Sequence, residues 1–132
     1  MARFATEKFC ENRLDNVFSH LTNTSINKFS PNLNKNKDGI GNGCKWTLKK
    51  LRRHLEACGI DFKPIWCKII NIILLTIIPI AQEIPKVTNC FELYGFDIII
   101  DQNLKPWILE VNFSPALTID CDVDLQIKAV TT

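Results

Sequence analysis

The chain has 132 residues, is 46% apolar and carries a net charge of +2. That length is enough for one modest core, and that apolar share excludes a disordered chain. A charge this small gives no warrant for nucleic acid by itself. Cys10, Cys44, Cys58, Cys67, Cys90 and Cys121 form no CxxC pair, and Met1-Ala2-Arg3-Phe4 does not open a signal peptide. Reduced thiols in an intracellular protein are expected, rather than zinc or disulfides.

Arg3-Phe4-Ala5-Thr6 reads as the end of an edge strand whose partner the sequence does not identify, as in a piece of a larger domain. Leu14 to Ile26 is mixed in pattern and leads into the polar cluster His20 to Lys28. There Thr22, Asn23 and Ser25 suit phosphate or ribose oxygens and equally suit an ordinary hydrogen-bonded turn, which pattern alone favours. His20 has no Cys or His at metal spacing. Ser30 to Gly43, dense in Asn, Lys, Gly and Pro, reads as an exposed loop.

Thr47 is placed to cap a helix with Leu48, Leu51 and Leu55 as its apolar stripe, and Gly59 is placed to end it. Lys45, Lys49, Lys50, Arg52 and Arg53 make a basic patch around that helix, either a solvated face or an attraction for an acidic partner. Trp46 is the only aromatic residue among them, a poor pattern for stacking on bases. The stretch Ile65 to Ala81 is apolar enough to suggest a membrane span. Lys68, Asn71, Thr76 and Pro79 cut it into pieces shorter than the ~20 residues a bilayer needs. A buried core helix is therefore expected, ended or kinked by Pro79 and Pro85.

Phe91 to Ile100 and Trp107 to Asn112 are strand-like runs on either side of Asp101-Gln102-Asn103-Leu104-Lys105-Pro106, which predicts a β-hairpin. If the loop holds an even number of residues, Asp101 faces Pro106 and Asp97 falls directly opposite Glu110. Asn112 then joins them through the two-residue repeat of a strand. Like charges across a sheet repel, and unpaired carboxylates among apolar neighbours are costly. A divalent cation removes the conflict, and two carboxylates with an amide suit Mg2+. An odd loop puts the acids on opposite faces and removes the site. Spacing leaves a metal site and a plain exposed polar face both open. Phe113 to Ala116 then turns the chain, and Asp124 to Val130 opens a last helix.

Three segments taken together, Arg3-Phe4-Ala5-Thr6-Glu7, His20-Leu21-Thr22-Asn23 with Ser25-Ile26-Asn27-Lys28, and Phe91 to Asp97 running on to Glu110-Val111-Asn112-Phe113-Ser114-Pro115, resemble the tubulin tyrosine ligase-like family. Lys45-Trp46-Thr47 between them also fits. The resemblance is to the branch that adds glutamate or glycine to tubulin tails, and to its polyglutamylases most of all. It implies an α+β fold, the C-terminal part of an ATP-grasp domain with antiparallel strands packed against helices. Residues 1–132 would be one partial domain without the N-terminal portion and without the upstream lysines that clamp ATP.

The implied reaction is an ATP-dependent ligation in which a glutamate side chain of the tubulin tail is phosphorylated. The amine of free L-glutamate then attacks the acyl phosphate and releases phosphate. The resemblance assigns Mg2+ to Asp97, Glu110 and Asn112, and ATP to Thr22 and Asn23. It gives Arg3 the incoming amino acid or a nearby phosphate, and makes Arg3 and Glu110 the catalytic pair. Ser25, Lys45 and Lys128 would line the free-glutamate pocket with Thr24, whose position often holds an aromatic residue in the family. Tubulin tails and microtubules are the implied partners, with neither nucleic acid nor membrane. The implied place is the cytoplasm on the cytoskeleton, including the cilium or basal body. As a fragment the chain is expected to turn over little. Glycine addition is the neighbouring alternative, which Lys45 and Lys128 disfavour. A non-catalytic microtubule-binding module, using the basic helix as its contact, is the alternative of another class.

Overall fold

The computed structural model describes residues 1–33, 44–85, 87–115 and 117. In chain order the elements are β1 (Ala2–Arg3), α1 (Val17–His20), α2 (Thr24–Asn27), β2 (Lys45–Trp46), α3 (Leu48–Ala57), α4 (Phe62–Ala81), β3 (Tyr94–Ile100) and β4 (Pro106–Phe113). Helices with two antiparallel two-stranded sheets make a mixed α+β chain. The chain divides into two compact units that part inside α3, after His54. Lys128, the helix expected from Asp124 and most of the loop expected from Ser30 to Gly43 lie outside the described residues.

In the N-terminal unit β1 finds the partner that the sequence left open. It pairs with β2, Ala2 opposite Trp46 and Arg3 opposite Lys45, and Phe4 N–H continues the ladder to Cys44 O at 2.8 Å. Alternation along a strand sends Phe4 and Trp46 to one face, where their rings meet at 4.7 Å. Trp46 is 2% exposed; the His54 ring packs edge-on at 5.1 Å and Lys50 Nζ lies 4.5 Å from the indole. Its Nε1–H is buried without an acceptor. Buried Asn27 donates Nδ2 to Phe4 O at 3.3 Å, tying α2 to the ribbon. Glu7 is held by two amides, Asn16 Nδ2 at 2.7 Å and Asn32 Nδ2 at 3.2 Å. The five described cysteines are free thiols, and burial pushes the Cys44 thiol up.

The α3 boundaries follow the local chemistry. Lys50 N–H donates to Thr47 Oγ1 at 3.1 Å, so the expected cap is in place. At the other end Gly59, with φ of 77°, donates to Glu56 O, and Ile60 N–H reaches back to Leu55 O. That is the paired bonding of a Schellman stop, which needs a residue tolerant of positive φ.

In the C-terminal unit α4 begins where Asp61 Oδ1 accepts from Lys63 N–H at 2.9 Å. The helix runs unbroken through Lys68, Asn71 and Thr76, and Thr76 satisfies its hydroxyl on Ile72 O at 2.8 Å. Pro79 falls in the last turn and the helix stops at Ala81. The expectation of a core helix is corrected: only Phe62, Ile65 and Ile69 are buried, whereas Leu74, Leu75 and Ile78 are exposed. The physical reason is width. A two-stranded ribbon such as β3–β4 spans roughly 5 Å between strand axes, enough to cover one stripe of a helix. With 20 residues and a mean hydropathy of 2.0, α4 is also long and apolar enough to cross a membrane, by length and composition alone.

The turn of the β3–β4 hairpin is organised by Asp101. Its Oδ1 accepts from Asn103 N–H at 2.8 Å and Lys105 N–H at 3.0 Å, and its Oδ2 from Trp107 Nε1 at 2.9 Å. Lys105 Nζ sits 3.6 Å over the Trp107 ring. The Trp107 bond first, then the Lys105 amide, holds the Asp101 carboxyl below the usual carboxylate range. A carboxylate whose folded pKa is lowered adds stability above its unfolded value and loses it as pH falls through the folded one. Asp101→Ala is therefore expected to lower the melting temperature at neutral pH. It should flatten the acid limb below about pH 4, checked by melting at stepped pH; an unchanged acid limb would refute the assignment.

Candidate functional site

The register of the hairpin decides where the acids lie. Ile100 pairs with Pro106, Ile99 with Trp107 and Ile98 with Ile108. Asp101 N–H bonds Lys105 O and Leu104 N–H bonds Asp101 O, both at 3.0 Å, with Leu104 at φ of 59°. The loop is therefore Gln102 to Leu104, an odd three-residue turn closed by a left-handed residue, and the expected even loop is corrected. By itself that parity would set Asp97 against Leu109 and send Glu110 to the other face. A β-bulge prevents it. The register shifts between Asp97 and Ile98, Leu109 is the extra residue, and Asp97 pairs with Glu110.

Beyond the bulge Phe96 pairs with Val111, Gly95 with Asn112 and Tyr94 with Phe113. Gly95, Asp97, Glu110 and Asn112 thus share one face, and the ring contact between Tyr94 and Phe113, 6.0 Å between centroids, falls on the other. Asn112 Nδ2 donates to Glu110 Oε1 at 3.1 Å, which orients that carboxylate and leaves the amide oxygen to face a cation. Asp97 and Asn112 are half-buried and Glu110 is exposed. Two carboxylates in opposition with one amide oxygen form a hard oxygen donor set that fits Mg2+. Among the described residues no three Asp, Glu, His or Cys side chains gather as a metal set, so the amide is needed to complete this one.

Gly95 is what lets the face close. Ser114, at φ of 49°, turns the chain back, and a Cβ on Gly95 would lie 2.9 Å from Pro115 Cβ and 3.6 Å from Asn112 Cβ. Gly95→Ala is expected to cost about 1–3 kcal/mol by overpacking and to displace Asn112. Urea unfolding would check this, and a variant as stable as the parent would show that Pro115 gives way freely. Leu109 and Gly95 were not read as site-shaping from sequence. A glycine inside a strand does signal close approach; a bulge residue carries no such mark.

The other candidates lie in the N-terminal unit. Cross-strand pairing places Arg3 directly opposite Lys45, on the face away from Phe4 and Trp46. Thr22 is half-buried and Asn23 is exposed. Asn23 caps α2 with its backbone, its carbonyl accepting from Ile26 and Asn27, and its side chain takes no part in the cap. Thr24 and Ser25 are exposed in the first turn of α2. His20 Nε2 lies 3.0 Å from Arg13 O and its ring is edge-on to Phe9, an ordinary structural role. Glu7, Lys8, Arg13, Asn16 and Asn32 help line an open cavity of about 660 Å³ that the sequence did not suggest.

The sequence profile of the tubulin-tyrosine ligase family matches residues 1–131. The chain belongs to the tubulin-tyrosine ligase family. Its relatives within that family include the probable tubulin polyglutamylase TTLL2 of Homo sapiens, 52% identical over 128 residues. The match takes in 97% of this chain and 22% of that protein. The probable tubulin polyglutamylase TTLL9 of Rattus norvegicus is 39% identical, over 96% of this chain and 27% of its own length. The tubulin monoglutamylase TTLL4 of Mus musculus is 42% identical, over 97% of this chain and 12% of its own. This tubulin-tyrosine ligase family chain therefore spans about a quarter or less of the length of these relatives.

Proposed function

We propose that these residues are the part of a tubulin glutamylase that holds Mg2+ and the incoming glutamate, within the C-terminal portion of an ATP-grasp domain. The observation that carries the reading is the alignment of Asp97 with Glu110 across the ribbon, with Asn112 bonded to Glu110 on the same face. That alignment survives an odd loop only through the bulge at Leu109. The glutamylating relatives, which carry tubulin in their names, support tubulin as the acceptor and the cytoskeleton as the place of action.

Asp97, Glu110 and Asn112 would hold Mg2+, which when bound offsets the charge of ATP phosphates approaching an anionic carboxylate. Thr22 and Asn23 would bind the nucleotide. Arg3 would stabilise the phosphate that leaves the acyl phosphate as the amine of free glutamate attacks, the charge development that a fixed cation serves best. Lys45, opposite Arg3, with Ser25, Thr24 and Lys128, would hold the free amino acid. A lysine there answers the side-chain carboxylate that glycine lacks, so glutamate is the preferred substrate. The share of relatives that the chain matches leads to an expectation of weak Mg·ATP binding and little turnover from residues 1–132 alone.

Calorimetric titration of ATP into the 132-residue chain tests this, with and without Mg2+ and beside an Asp97→Ala/Glu110→Ala variant. Heat that requires both Mg2+ and the two acids is expected. A folded chain that binds no nucleotide, or binds it equally without the acids, overturns the reading.

A further inference from the structure

We infer that Glu7 is a positioning residue, its carboxylate clasping both ends of the segment that carries Thr22, Asn23, Thr24 and Ser25. The nucleotide and glutamate roles of those residues rest on the proposed glutamylase reading; the clasp itself does not. Glu7 Oε2 accepts from Asn16 Nδ2 at 2.7 Å, just before α1. Its Oε1 accepts from Asn32 Nδ2 at 3.2 Å, beyond α2. One half-buried side chain thus holds residues 16 to 32 at both ends.

The segment needs such a hold. Helices α1 and α2 have four residues each, and a single helical turn is unstable by itself because nucleation outweighs its few bonds. Thr22 lies between them in neither helix nor strand, and Asn23 caps α2 with its backbone alone. Glu7 acts on α1 twice. Its own N–H donates to Phe18 O at 3.1 Å, and Asn16, fixed by the carboxylate, accepts from Phe18 N–H on Oδ1 at 3.2 Å. The bond from Asn27 Nδ2 to Phe4 O ties α2 to the same stretch of chain. Residues 3 to 7 therefore set Arg3, Thr22 and Asn23 in one frame.

This geometry requires a carboxylate. Two amide N–H donors converge on it, and hydrogen bonds to an ionised acceptor are the strong ones. Glu7→Gln would leave one oxygen and set an N–H against one of the donors. Asn16 has no freedom to turn its amide over, because Phe18 N–H engages its oxygen. The remedy has to come at position 32, where Asn32→Asp supplies an acceptor for the new N–H.

Amide hydrogen exchange by NMR and calorimetric titration of Mg·ATP, both on the 132-residue chain, test the clasp. In Glu7→Gln the Leu21, Ile26 and Asn27 amides, each bonded to a backbone carbonyl of the segment, are expected to exchange several-fold faster. Phe4 N–H on the β1–β2 ribbon and the α4 amides should keep their parental rates. Mg·ATP affinity should fall about tenfold or more, as when a binding group loses the partner that orients it. Glu7→Gln/Asn32→Asp should restore both readouts. Unchanged exchange, no recovery in the double variant, or lost protection at Phe4 as well would overturn the inference. So would faster exchange with parental Mg·ATP affinity. A parent that binds no Mg·ATP, while exchange and rescue run as expected, would remove the nucleotide reading and leave the clasp standing.

Discussion

Trp46→Ala is expected to unfold the N-terminal unit, at a cost of about 3–5 kcal/mol. Among the described residues Trp46 is the one buried large apolar side chain of that unit; Phe62, Ile65 and Ile69 belong to the other. Phe4, His54 and Lys50 all pack on its ring, so its removal takes three contacts at once. Whole domains are stable by only about 5–15 kcal/mol, which leaves such a unit little reserve. Trp46→Phe is expected to cost much less. It keeps a ring for Phe4 and His54 and removes an indole N–H buried without an acceptor, itself a penalty of about 1–3 kcal/mol. Urea unfolding followed by circular dichroism compares the two, and similar losses for both would show that shape, not ring contact, is what the site needs. The register of Arg3 against Lys45 depends on this packing, so the alanine variant also loses the proposed glutamate pocket.

Glu110→Gln is expected to move binding and stability in opposite directions. Glutamine keeps the shape and an oxygen for Asn112 but ends the opposition of two carboxylates across the ribbon. Cross-strand repulsion then disappears, and the melting temperature in metal-free buffer should rise slightly. Mg2+-dependent ATP affinity should fall by about 10–100-fold or more, the range that loss of even a supporting partner of a metal site produces. Asp97→Asn is expected to behave alike. A purely structural role for the pair would make both readouts fall together, so melting and calorimetry on the same preparation separate the two accounts.

Much of this arrangement is written in local patterns. Thr47, Gly59 and the turn acid Asp101 act within a few residues of themselves, and each stands where its chemistry predicted. The hairpin itself was legible from its apolar runs, but its parity was not. Loop length and bulge are each worth one residue, and a leucine at 109 looks the same in a ladder or out of it. The pairing of Asp97 with Glu110 was reached by way of an even loop that the chain does not have. Apolarity also misled at α4. It reports that a surface avoids water and says nothing of how much partner is present to cover it, and here only one stripe finds cover. Arg3 and Lys45 are forty-two positions apart in the sequence, and their opposition is a long-range pairing that no local pattern encodes. The roles of Thr22, Asn23 and Lys45 came from family resemblance.

The burial of Trp46 has a practical consequence for how this chain can be watched. It is 2% exposed in one unit, whereas Trp66 at 38% and Trp107 at 48% are the tryptophans of the other. An ionic quencher such as iodide reaches the latter two and is kept from the first. The emission that survives quenching therefore reports the N-terminal unit, and the emission removed by it reports the C-terminal one. A single unlabelled sample gives two separate unfolding curves.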